Sequence, residues 1–124
     1  MLALRAKKVF TGLEVIEDGV VIIEDEKVVN AGPFSEVTIP EGCEVIDYKE
    51  GTIIPGLIDA HTHLTLSAQI SNYAAAIKED RYMLLLRGAR NMYCDILSGV
   101  TTMRCLGEID YIDVALKDAS ERGI

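Results

Sequence analysis

At 124 residues, with 49% apolar and 26% charged side chains, the chain has the length and composition of one globular domain with a modest core. Twenty acidic residues against 12 basic ones leave a net charge of −8. That is the wrong sign for a nucleic-acid partner or an anionic membrane surface, both of which select clustered Lys and Arg.

Residues 1–12 carry charges at Arg5, Lys7 and Lys8 and hold no apolar core of signal-peptide length. The longest apolar runs, at residues 20–23 and 83–86, are far shorter than a membrane span. Cys43, Cys94 and Cys105 are widely spaced, with no C-x-x-C among them, so neither a zinc knuckle nor a redox pair is suggested. Reduced, mostly buried thiols in a cytoplasmic protein are the expectation.

In chain order, Val15-Ile16, residues 19–23, Val28-Val29 and Val45-Ile46 read as short strands. Residues 24–27 read as the hairpin turn between two of them, and Gly32-Pro33 and Pro40-Glu41-Gly42 as further turns. Strands this close, without a helix between them, predict a small antiparallel sheet or sandwich over residues 1–51. Thr52-Ile53-Ile54 then reads as an approach strand, Pro55-Gly56 as a tight turn, and residues 57–61 as a buried strand.

Helical periodicity sets in over residues 78–97. Leu85, Ala89, Met92 and Ile96 form one stripe, with Tyr82, Leu86, Tyr93 and Leu97 beside it. Ser98-Gly99 closes that helix. Residues 100–104 form a second β-rich run, and Ile112, Ala115, Leu116 and Ala119 a second helical face ending near Gly123. Strand, helix, strand, helix over residues 52–124 is the pattern of a parallel α/β unit. Two βα units cannot close a barrel, so the sequence reads as cut short.

The only two histidines, His61 and His63, stand one residue apart in Pro55-Gly56-Leu57-Ile58-Asp59-Ala60-His61-Thr62-His63-Leu64. On a strand, side chains at i and i+2 share a face, with Cα atoms roughly 6.5–7 Å apart. Two imidazoles at that spacing can lean onto one ion at metal–nitrogen distances of about 2.0–2.1 Å. A pair of histidines hydrogen-bonded for structural reasons is the competing account. Placement at the C-terminal end of a parallel strand, where α/β folds put their sites, favours ligation. Asp59 shares the face by the same alternation. It either accepts a hydrogen bond from an imidazole behind the metal or is a buried acid satisfied by backbone donors.

The ten-residue run 55–64 is similar to the first-strand signature of the amidohydrolase superfamily. Residues 18–22, 27–33 and 45–47 resemble that family's N-terminal β-domain. Gly99-Val100-Thr101-Thr102-Met103-Arg104 resembles its second barrel strand, most of all in the branch with imidazolonepropionases and Xaa-Pro dipeptidases, and residues 112–119 continue the likeness. The resemblance implies an α/β fold in which 1–51 is part of a β-sandwich and 52–124 the first two βα units of a (β/α)₈ TIM-like barrel.

It also implies that His61 and His63 bind a divalent metal, zinc being the first choice, with one or two ions in a complete enzyme. A carboxylated lysine, two histidines and an aspartate from later strands would complete the site. The implied reaction is hydrolysis of a C–N bond in a small peptide-like or cyclic amide substrate by a metal-activated water. Cys105 departs from the pattern, since many relatives of this branch carry an aspartate after the arginine.

Arg104 either faces a substrate carboxylate or sits in a structural ion pair. Ser67, Asn72 and Tyr73 fall in the loop after His63, where barrel enzymes place substrate contacts, or simply face solvent. A chain with only two candidate ligands is expected to be inactive alone and to self-associate through its open edge and bare apolar stripe. The rival reading is a non-catalytic, truncated or degenerate relative that serves as a binding or assembly module.

Overall fold

The computed structural model describes residues 1–67 and 72–124, which form two units, Met1–Pro55 and Gly56–Ile124.

The first unit is a mixed sheet built around β1 (Leu2–Phe10). β2 (Val15–Glu24) runs antiparallel to β1, and β3 (Lys27–Pro33) antiparallel to β2. On its other side β1 pairs in parallel with β4 (Glu44–Asp47) and then with β5 (Thr52–Ile53). The hairpin between β2 and β3 falls where the sequence places it, with Asp25 at φ 53° in a two-residue turn.

β1 itself is not evident from the sequence, because Ala3, Arg5, Ala6, Lys7 and Lys8 make up most of it and Ala and Lys are depleted in strands. Its position at the centre of the sheet makes it a strand: both edges are paired, and Ala3 and Ala6 are small enough to vanish between neighbours. The sheet is therefore mixed rather than antiparallel. Thr52–Ile53, expected to open the α/β part, is bonded to β1 instead, so the observed division falls at Pro55, not at residue 51. Ala3, Val20 and Ile22 form the core of this unit, covered by Phe34, Val37, Ile39 and Cys43. Arg5 holds Asp18 through two hydrogen bonds of 2.9 and 3.1 Å, and its guanidinium lies 3.8 Å from the centre of the Phe34 ring.

The second unit is an α/β unit. β6 (Leu57–Thr62) and β7 (Val100–Cys105) run parallel and are joined by the short α1 (Tyr73–Ala76) and by α2 (Arg81–Leu97). A 3₁₀ turn (Ile109–Tyr111) leads from β7 into α3 (Ile112–Glu121). α2 begins three residues later than the periodicity predicts. Asp80 caps it by accepting the Tyr82 N–H at 2.9 Å, which ends the preceding turn. Gly99, at φ 95°, follows the Ser98 cap. No described helix is long and apolar enough to cross a membrane.

The core of this unit is Leu64, Leu84, Ile112 and Leu116, flanked by Leu85, Met92 and Met103. The inward face of α2 is thus turned by about one residue from the expected stripe. Leu84 and Gly88 are buried, whereas Ala89 and Ile96 are exposed. Gly88 is the cause. A Cβ there would stand 2.7 Å from Leu116 Cδ1, so the bare backbone is what lets α3 lie close. Asn91, a polar residue outside the apolar stripe, also points inward and donates to the carbonyls of Leu64 and Leu66 at 2.7 and 2.9 Å.

Candidate metal centre

β6 delivers the histidines. Pro55-Gly56 turns the chain into it, and Leu57 N–H bonds Gly99 O at 2.9 Å to open the parallel ladder. Gly56 has to be glycine, because a Cβ would overlap the Thr101 side chain, standing 2.6 Å from its Cγ2. His61 lies within β6 and His63 one residue beyond its end, both exposed at the C-terminal end of the strand. One further bond, Leu106 N–H to Thr62 O at 3.2 Å, carries the pairing past the last strand residues.

The two rings come together, with centroids 5.7 Å apart and planes at 65°. Two imidazoles on one tetrahedral ion would hold their centroids roughly 5 Å apart at bond lengths of about 2.0–2.1 Å. The pair thus lies within a small side-chain rotation of shared ligation. His63 donates its Nδ1–H to the carbonyl oxygen of Gly107 at 3.0 Å. A carbonyl can only accept, so that bond puts the ring proton on Nδ1 and leaves the Nε2 lone pair free. An imidazole held from behind by a backbone carbonyl is the arrangement metal-binding histidines use. The chemistry of the donor set therefore fits a divalent ion. Among the described residues no group of three or more His, Cys, Asp and Glu side chains could hold a metal, and the two imidazoles stand as a pair.

Asp59 does not reach an imidazole. Its Oδ1 accepts the backbone N–H of His61 at 3.0 Å, and the residue is exposed rather than buried. The carboxylate fixes the backbone at His61 instead of an imidazole ring. Arg104 is exposed and takes part in none of the described ion pairs, contrary to the structural ion pair considered for it. Ser67 is half-buried. Asn72 is an exposed cap whose Oδ1 accepts the Ala75 N–H at 3.1 Å, which starts α1. Tyr73 opens α1, and its side chain lies outside the described residues. None of the three cysteines is fully buried, and all are unpaired.

Sequence reasoning missed the loop after β7. Gly107 and Glu108, with His63, Thr65, Leu66 and Ile109, line a cavity of about 260 Å³ beside the histidine pair. The Glu108 carboxylate accepts from Thr65 N at 3.1 Å and from Thr65 Oγ1 at 2.5 Å, and lies 3.7 Å from Cys105 Sγ. Glu108 is one of two acids between Gly107 and the helical run from Ile112, and no motif contains it.

The second unit is thus a parallel βα unit with a histidine pair at the C-terminal end of its first strand. No family model matches the chain. It is 33% identical over 107 residues to the imidazolonepropionase of Methylobacterium nodulans, a match spanning 86% of this chain and 26% of that protein. It is 35% identical over 124 residues to the imidazolonepropionase of Geobacillus kaustophilus, spanning 95% of this chain and 25% of that one. Its fold superposes on the crystal structure of a Xaa-Pro dipeptidase with bound methionine in the active site. The TM-score is 0.83 at 26% identity, over 98% of this chain and 30% of that one. The chain belongs to the amidohydrolase superfamily. It spans about a quarter of the length of the curated relatives it matches.

Proposed function

We propose that this chain forms part of a metal-dependent amidohydrolase that hydrolyses a C–N bond in a small peptide-like or cyclic amide substrate. Residues 1–51, with β5 paired to them, contribute to a β-sandwich, and the βα units that follow are the first two of a (β/α)₈ barrel. The observation that carries the reading is the His63–Gly107 bond, which fixes the tautomer a ligand needs beside a second imidazole. The imidazolonepropionases and the Xaa-Pro dipeptidase it resembles support the substrate class.

His61 and His63 hold the ion, zinc being the first choice. A divalent ion bound there lowers the pKa of a water and polarises the scissile carbonyl. Asp59 fixes the backbone at His61, and the cavity beside His63 receives part of the substrate. Two ligands do not complete a catalytic site, which uses three protein ligands. The remaining ligands and the proton acceptor come from further strands, and this chain alone gives no turnover. Its unpaired thiols accord with a reducing, cytoplasmic setting, and its outward apolar residues with self-association.

The test is hydrolysis of dipeptides and cyclic amides with added zinc, by this chain and by a polypeptide that continues it to the length of its relatives. Activity in the longer polypeptide alone, lost on chelation and on His61→Ala, is the expected result. Activity that survives His61→Ala would remove the pair from the mechanism.

A further inference from the structure

The bond that fixes His63 comes from a loop with little backbone support of its own. After Leu106 the described β6–β7 pairing ends, and the chain passes through Gly107 at φ 131°, Asp110 at φ 53° and Tyr111 at φ 54° before α3 begins. Between those turns Glu108 reaches back to the loop after β6. It accepts both the backbone N–H and the hydroxyl of Thr65. Thr65 is 3% exposed, so its hydroxyl and N–H need partners inside the protein, and the carboxylate supplies both. Thr65 stands two residues after His63, and Glu108 one residue after Gly107. The side-chain clamp and the His63–Gly107 bond therefore bracket the same gap between the two loops, 43 and 44 residues apart in sequence.

We propose that Glu108 is a positioning residue for His63: by clamping Thr65 it holds the Gly107 carbonyl against Nδ1 and so keeps Nε2 as the ligating nitrogen. The inference rests on the reading of His61 and His63 as a ligand pair. A clamp that merely staples two loops would change the melting temperature and leave the tautomer of one distant ring alone. Glu108 acts through the carbonyl beside it, so its loss frees that carbonyl to drift and lets the His63 proton move to Nε2. The ligating lone pair is then lost from a fraction of the molecules.

The experiment uses the full chain labelled with ¹⁵N at histidine. With only two histidines, the His61→Ala variant isolates the His63 ring signals. Wild-type His63 should show the Nδ1-protonated tautomer. Glu108→Ala and the nearly isosteric Thr65→Val should shift it toward a mixture, while Thr65→Ser, which keeps both bonds, should restore it. Zinc affinity should follow the same order, falling by about tenfold or more for Glu108→Ala. A variant whose melt shows it unfolded is set aside for the other. An unchanged tautomer in folded Glu108→Ala or Thr65→Val overturns the proposal, as does zinc affinity equal to wild type. If zinc binds neither the wild type nor any variant, the ligand reading of the pair fails, and the ring signals alone still decide the clamp.

Discussion

His63 and Gly107, 44 residues apart in sequence, are joined by a single hydrogen bond of 3.0 Å from the imidazole Nδ1–H to the backbone carbonyl. β6 and β7 run parallel, so their C-terminal ends open side by side and a side chain from one loop reaches the backbone of the next. The same parallel order that makes the fold places the Gly107 carbonyl behind the His63 ring.

Zinc should therefore bind this chain weakly through the histidine pair. Two neutral imidazoles fall short of the four protein ligands of structural sites and the three of catalytic ones. Titration calorimetry should give low affinity in the wild type and no binding in His63→Ala. Tight binding at one zinc per chain would contradict this, unless two chains pool their pairs around one ion.

What was legible in the sequence was what local rules encode. The β2–β3 turn, the C-terminal cap at Ser98-Gly99 and the histidine pair on β6 each depend on neighbours within a few residues. β1 escaped because its strand character comes from paired strands on both sides, not from its own Ala and Lys residues. The inward face of α2 was misplaced because Gly88 and Asn91 look like surface residues until α3 and the loop after β6 are set against them. Glu108 was invisible for the same reason: its partner Thr65 lies 43 residues away.

Gly56 should be intolerant of even one methyl group. A Cβ at that position meets Thr101 Cγ2 at 2.6 Å and Cβ at 2.8 Å, and a β-branched strand residue has little rotamer freedom with which to yield. Gly56→Ala should destabilise the chain by about 1–3 kcal/mol. Thr101→Gly in the same chain should recover part of that loss, giving a coupling energy in a double-mutant cycle of denaturant melts. Additive losses would show that the two residues do not meet.

Asp80 caps α2 through the Tyr82 N–H, and no other described side chain caps that terminus. Asp80→Ala should cost about 1 kcal/mol and Asp80→Asn much less, because the amide oxygen accepts the same bond. Urea melts followed by circular dichroism at 222 nm would check the order. Equal losses in the two variants would mean that charge near the helix start, not the cap, is what Asp80 contributes.

α2 carries apolar side chains on two sides, and this sets the last prediction. Its inner side buries Leu84 to 1% exposure, while Tyr82, Leu86, Tyr93 and Leu97 line the outer side at 60–70%. These four recur at helical spacing and so form a continuous stripe rather than scattered contacts. A helix apolar all round is ordinarily buried all round, and an exposed stripe of this kind draws other apolar surface to it. The chain should accordingly show concentration-dependent sedimentation. Leu86→Glu combined with Leu97→Glu should shift it toward the monomer, because two carboxylates on the stripe would have to be desolvated in any contact. Both positions face outward, so the helical signal and the cooperativity of the melt should be kept. A wild-type chain that sediments as a monomer at high concentration would rule out association through this face. Loss of helix in the double variant would mean that the outer leucines contribute to folding instead.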